Sequence, residues 1–167
     1  MTARYFVDTR AWQSLLVASD QHHAKVVDAY SEAHRDGGIF VTSSLVLGEL
    51  FTLMSSRANA AATFWTFRDG LRASARIKVL DISAQHVEAS FDLLRHRPDK
   101  AYSFVDATSF VLMRDESILA AFTLDRHFAQ ECFQMAPGTG ELMHESGSQY
   151  SADTDAVPSR GIALPTR

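Results

Sequence analysis

Four acidic residues occupy positions from which they could act together: Asp8, Glu49, Asp106 and Asp125. Asp8 closes the short apolar run Tyr5-Phe6-Val7, and Asp125 follows the apolar run Ile118–Phe122. Asp106 falls in the first turn of a helix that opens at Ser103. Glu49 falls in mid-helix, flanked at spacings of three and four by Leu45, Val46, Leu50 and Leu53. Several carboxylates in one pocket repel and raise one another's pKa. A hard divalent cation relieves that repulsion, and Mg²⁺ or Mn²⁺ needs only oxygen ligands, with no His or Cys. Such ions lower the pKa of a bound water, hold it in line with phosphorus and neutralise charge on the leaving oxygen. Four convergent acids therefore point to phosphodiester hydrolysis.

Each acid taken singly also has a structural role open to it. Asp8 and Asp125 can N-cap the helices that follow them. Ser103 and Asp106 have the S-x-x-D spacing of a capping box. Glu49 cannot be a cap, and its alternative is a glutamate that snorkels or pairs with an arginine. The shared setting of all four, near the ends of buried strands, favours a site.

The elements that must position them follow from periodicity and punctuation. Strands are expected at 5–7, 39–41, 77–80 and 118–122, with a fifth candidate at 132–135. Helices are expected at 9–16, 22–35, from Ser43 or Ser44 to about Arg57, at 60–73, at 83–96 and from Ser103. Gly37-Gly38 stops the second helix and Pro98 ends the one that starts at Ser83. Apolar strands alternating with helices imply an α/β fold, a parallel sheet covered on both faces in three α/β/α layers. Ligands bind such sheets beyond the carboxyl ends of the strands, where the winding reverses. Asp8 and Asp125 both fall at such ends.

Composition sets the outer bounds. The chain has 167 residues, 46% of them hydrophobic, enough for one domain with a real core. After Ala136 no period persists, and Pro137, Gly138, Gly140, Gly147, Pro158, Gly161 and Pro165 intervene. The expectation is a catalytic domain over 1–136 and a flexible tail over 137–167. A formal net charge of −4 gives no basic excess, so any nucleic-acid reading must rest on a site. The one cysteine, Cys132, excludes a disulfide framework and cysteine zinc sites, and reads as a small buried hydrophobe in a reducing cytosol. MTARYFVDTR lacks the apolar run of a signal peptide and no stretch is long enough to span a bilayer, so the expected location is cytoplasmic, with no membrane partner.

Four segments resemble the motifs of the PIN-domain family, and more closely its VapC-type toxin ribonucleases of type II toxin–antitoxin systems. They are FVDTRAW, VTSSLVLGEL, YSFVDATSFVLM and AFTLDRHF. The resemblance covers about residues 4–136. It implies a PIN-like parallel sheet in the order 3-2-1-4-5 with an acidic cluster above its centre. It implies Mg²⁺- or Mn²⁺-dependent endoribonuclease activity on RNA. Asp8, Glu49, Asp106 and Asp125 correspond to the family's acidic quartet, with Asp8, Asp106 and Asp125 as metal ligands and Glu49 acting directly or through water. It further implies a small antitoxin protein as partner and a homodimer.

Other residues near the motifs carry weaker expectations. Asp99 is a candidate auxiliary acid or a simple loop residue after Pro98. Thr9, Ser103 and Thr123 could lend hydroxyls to the site or act in turns and caps. Arg10 departs from the family, which commonly has a small polar residue there, and could hold substrate phosphate or partly neutralise the acids. His127 reads as a surface-helix histidine rather than a general base, and His22-His23 lack ligand partners at helical spacing. Arg57, Lys100, Arg114 and Arg126 read as scattered surface cations rather than an RNA path. Two other classes compete with the nuclease. A non-catalytic PIN-like RNA- or protein-binding module would lack some of the acids. A receiver-type phosphoacceptor needs paired acids at the first strand, which ends D-T-R here.

Overall fold

The first strand, β1 (Arg4–Val7), has neighbours on both sides, and every pairing in its sheet is parallel. In a computed structural model of the chain, residues 2–56 and 60–137 are described. The tail beyond Pro137 and Arg57 lie outside the described residues, and with them the expected domain boundary's far side. The remaining elements are α1 (Thr9–Leu16), α2 (His23–Arg35), β2 (Ile39–Ser43), α3 (Ser44–Ser55), α4 (Ala60–Ala73), β3 (Ile77–Leu80), α5 (Ala84–His96), α6 (Phe104–Asp115), β4 (Ala120–Phe122), α7 (His127–Gln130) and β5 (Gln134–Ala136). The strand order is β3-β2-β1-β4-β5, the expected 3-2-1-4-5. β1 pairs with β2 in one direction and with β4 in the other, so the winding reverses at β1 and β4.

Both faces of the sheet are covered. Tyr5, Phe40 and Phe122 lie on one face, where Tyr30 from α2 stacks on Phe40 at 4.3 Å and meets Phe122 edge-on at 6.0 Å. Phe6, Val41 and Ala121, on the other face, are 0% exposed. Burying one such phenylalanine is worth about 1.5–3 kcal/mol, so the central strands are held chiefly by their side chains. β3, at the edge, exposes Lys78 and Val79. Among the described residues no helix is long and apolar enough to cross a membrane.

Two strands begin later than expected, each for a local reason. β4 begins at Ala120 rather than Ile118, because Ser117 takes a positive φ of 52° and the Ile118 N–H donates back to Met113 at 2.7 Å to close α6. β5 begins at Gln134 rather than Cys132, because Cys132 has φ 66° and its N–H bonds to Ala129 at the end of α7. The same turn leaves Cys132 exposed, correcting the expectation of a buried thiol.

The Gly37-Gly38 pair does what its position suggests, and by two different means. Gly37 adopts φ 87° after α2, and its N–H and that of Gly38 return to His34 and Ala33, a Schellman closure. Gly38 is needed for space instead: a Cβ there would lie 2.7 Å from the Ala33 carbonyl oxygen. This turn aims β2 alongside β1. Gly38→Ala should therefore destabilise the protein by about 1–3 kcal/mol, through backbone displacement rather than lost burial. Urea unfolding of the variant measures it, and an unchanged midpoint would contradict the packing at this turn.

Candidate active site

The carboxyl ends of β1 and β4 lie side by side, and hydrogen bonds there position the acids. Asp8 leaves β1 as the N-cap of α1, with Oδ1 accepting from the Ala11 N–H at 2.7 Å. Its Oδ2 accepts from the Thr123 hydroxyl at 2.5 Å. The same Thr123 oxygen accepts from the Asp125 N–H at 2.9 Å. One fully buried threonine at the end of β4 thus holds both the side chain of Asp8 and the backbone of Asp125. Behind it, the Thr42 hydroxyl donates to the Val7 carbonyl at 3.0 Å and accepts from Trp12 Nε1 at 3.2 Å, tying the ends of β1 and β2 to α1.

The other two acids arrive on helices. Ser103 caps α6 in a reciprocal box: Asp106 Oδ2 accepts from the Ser103 N–H at 2.7 Å, and Ser103 Oγ accepts from the Asp106 N–H at 3.0 Å. Glu49 projects from α3, and its Oε2 accepts from the Thr9 hydroxyl at 2.5 Å. Asp8, Glu49, Asp106 and Asp125 all line one cavity of about 490 Å³, with Thr9, Arg10, Gln13, Ser103 and Ser109 among its other polar walls. Capping and lining the cavity are therefore not alternatives for Asp8 and Asp106, since each carboxylate does both.

The charge in this cavity has little counterweight beyond His127, which lies beside Asp106 and Asp125 and is a cation only when protonated. Among the described residues no lysine or arginine pairs with any of the four acids, and Arg10 is the only basic side chain on the cavity wall. Burial pushes the Asp8 carboxyl up to about 7, and the charges of Asp125 and Asp106 add to the rise. Burial likewise raises Asp106, again with Asp125 adding to it. Donor atoms of Asp106, Asp125 and His127 all lie within 4.8 Å of one another. Hard carboxylate oxygens carrying uncompensated charge at this spacing fit a divalent cation.

Some residues named from sequence fall elsewhere. Asp99 is largely exposed and faces Arg97 and Lys100 at 3.8 and 3.5 Å, away from the cavity, which leaves it no part as an auxiliary acid. Lys100, Arg114 and Arg126 do not line the cavity either. His127, expected as an ordinary surface-helix histidine, instead faces the acids. Its Nδ1 lies 3.3 Å from Asp125 Oδ2 and 3.9 Å from Asp106 Oδ2. The sequence signal for this is proximity alone, His127 following Asp125 by two residues. Glu131 was not singled out at all. It is buried, accepts from the Tyr102 hydroxyl at 2.8 Å, and pairs with Arg97 at 2.7 Å and Arg114 at 2.5 Å. Burial alone would raise this carboxyl, but the bonds from Arg114 and Tyr102 and the two cationic charges hold it below its usual range.

A doubly covered parallel sheet with a carboxylate-lined cavity at its switch point is an arrangement suited to metal-assisted phosphodiester chemistry. The model of the PIN domain family matches residues 5–133, and the chain belongs to that family. It is 32% identical over 128 residues to the 23S rRNA-specific endonuclease VapC20 of Mycobacterium tuberculosis, in strains H37Rv and CDC 1551 alike, covering 77% of this chain and 94% of that protein. The crystal structure of M. tuberculosis VapC20, described as a sarcin-ricin loop cleaving toxin, superposes with a TM-score of 0.69 at 30% identity, covering 77% of this chain and 95% of that one. The resemblance to VapC-type toxins read from the four motifs is borne out.

The raised Asp8 carboxyl carries a consequence for stability. Its folded pKa of about 7 lies above the unfolded value of 3.8, so between these limits the folded state holds more protons than the unfolded one. Stability of the metal-free protein should then fall as pH rises from about 4 to 7. Asp8→Asn should remove most of that fall and raise the Tm in EDTA at pH 8 by about 3–8 °C. Thermal unfolding across pH, with and without the substitution, measures both. A Tm in EDTA that climbs through this window for the parent protein would contradict the desolvation of Asp8.

Proposed function

We propose that this protein is a divalent-metal-dependent endoribonuclease of the toxin type, hydrolysing RNA phosphodiesters. The observation that carries the reading is the convergence of Asp8, Glu49, Asp106 and Asp125 on one cavity, none of them paired with a lysine or arginine among the described residues. The PIN family membership and the likeness to a 23S rRNA-specific endonuclease support it. Helix capping accounts for Asp8 and Asp106 in a non-catalytic module as well, but it does not account for Glu49, which turns into the same cavity from mid-helix.

In this reading Asp106 and Asp125 hold the cation, Mg²⁺ or Mn²⁺, with Asp8 completing the acidic set. Once bound, the ion supplies Lewis-acid polarisation of the phosphate and charge neutralisation at the leaving oxygen. Glu49 joins in the ligation or orients the attacking water. Its Oε2 is tethered by the Thr9 hydroxyl, which fixes the carboxylate's direction. Thr123 keeps Asp8 and Asp125 in register through its two bonds. Arg10, exposed at the cavity's edge, holds a substrate phosphate beside the scissile one. The substrate class is an RNA loop whose unstacked bases enter the cleft, ribosomal RNA being the first to try given the relative's substrate. A small antitoxin that covers the cleft, a homodimer and a cytoplasmic setting complete the proposal.

Purified full-length protein incubated with ribosomal RNA should cut it at discrete positions with Mg²⁺ or Mn²⁺ and leave it intact in EDTA. Asp8→Asn and Asp106→Asn should each lower the rate by about a hundredfold or more. Cleavage that persists in EDTA, or in both variants, would sink the assignment. Arg10→Ala should act differently, raising KM about tenfold while kcat stays within about threefold, because it removes phosphate binding and not an acid. Steady-state kinetics on a short labelled RNA separates the two effects, and a collapse of kcat alone would contradict the role given to Arg10.

A further inference from the structure

Beside Asp106 and Asp125, just off the cavity wall itself, lies a nitrogen that an all-oxygen site does not require. His127 follows Asp125 by two residues, and its backbone N–H donates to Asp125 Oδ1 at 2.9 Å. That bond fixes where the ring leaves the chain. Nδ1 turns back toward the carboxylates, 3.3 Å from Asp125 Oδ2 and 3.9 Å from Asp106 Oδ2. Among the described residues it is the one buried side-chain polar atom without a hydrogen-bond partner. Buried polar atoms are rarely left so, and a ring nitrogen facing two carboxylates has two uses: it carries a proton and pairs with them, or it turns its lone pair to a cation that all three groups hold. Two ligands on opposite sides of one ion stand about 4.2 Å apart, and the three donor atoms here lie within 4.8 Å.

The ring is also held from behind. Tyr102 packs edge-on against it at 5.1 Å between centroids. The Tyr102 hydroxyl donates to Glu131 at 2.8 Å, and Glu131 is fixed by Arg97 and Arg114. In this group Tyr102 and Glu131 are buried, and the half-exposed Arg97 and Arg114 reach Glu131 from the surface. The group serves to keep the imidazole where it is, as outer partners do for histidine ligands in metal sites.

We infer that His127 is a metal ligand: Nδ1 joins Asp106 and Asp125 in holding the divalent cation, and the nitrogen inclines the site toward Mn²⁺ over Mg²⁺. The inference rests on the metal-dependent reading above and names a residue and a selectivity that reading does not require. Mg²⁺ is a hard ion that takes oxygen and keeps much of its water, whereas Mn²⁺ lies in the transition series in which imidazole ligands are common.

The test reads metal binding in the absence of RNA. Tag-free, metal-free full-length protein is titrated with Mn²⁺ and followed by electron paramagnetic resonance, with Mg²⁺ as competitor. Pulsed spectra of the bound ion report a coordinated ¹⁴N directly, in the parent protein and without need of any variant. The expected result is nitrogen modulation in the parent protein and its loss in His127→Ala. Mn²⁺ affinity in His127→Ala should fall about tenfold while Mg²⁺ affinity changes by less than about threefold. Bound Mn²⁺ without nitrogen modulation, or unchanged Mn²⁺ affinity in His127→Ala, overturns the role of His127 and leaves the nuclease reading standing. Failure of the parent protein to bind Mn²⁺ at all overturns both.

Discussion

Like charges brought close together and partly removed from water are the constraint around which this domain is organised. Desolvation and mutual repulsion both act against Asp8 and Asp106, and among the described residues no lysine or arginine forms an ion pair with them. The fold tolerates the strain by distributing the carboxylates over independent elements. Asp8 ends β1, Asp125 follows β4, Glu49 rides on α3 and Asp106 opens α6. Each carboxylate accepts a hydrogen bond from a hydroxyl or amide, Glu49 from Thr9 of α1, Asp8 from Ala11, Asp106 from Ser103 and Asp125 from His127. The hydroxyls of Thr9 and Thr123 also reach across elements, so the acids are held together against their mutual repulsion.

Two polar layers support this arrangement from opposite sides. On the β1 side, Trp12, Thr42 and Val7 lock the strand ends, and Thr123 carries the register across to Asp125. On the α6 side, Glu131 gathers Arg97, Arg114 and Tyr102, and Tyr102 packs against His127. An ion-pair network built on one buried carboxylate and two half-exposed arginines is weak evidence of stability, because desolvation of Glu131 and solvent screening of the arginines offset much of the attraction. Its value here is positional. It sets the ring of the residue that faces Asp106 and Asp125.

The parallel sheet and its winding could be read from the chain because apolar strands and capped helices alternate with clear punctuation. Ser83, Ser103 and Gly37 mark helix ends within a residue of where they fall. The meeting of the acids was also legible, since a parallel sheet sends the ends of β1 and β4 to one rim. Residues governed by local turns were not. The positive φ at Ser117 and Cys132 shortens β4, shifts β5 and exposes the thiol, and no periodicity announces such a turn at a non-glycine residue. Glu131 escaped notice because its partners come from α6 and from the segment before it, far off in sequence and joined to it only by the fold. His127 reads as a surface-helix histidine, and only its place two residues after Asp125 argues otherwise.

The account stands on the claim that the four carboxylates share a cation. Crystals grown with Mn²⁺ and measured at the manganese absorption edge test it most directly. The account predicts an anomalous peak in the cavity, within bonding distance of Asp106 and Asp125 and bordered by Asp8 and Glu49. A well-ordered cavity with no peak at saturating Mn²⁺, or a peak bound only elsewhere on the chain, would contradict it.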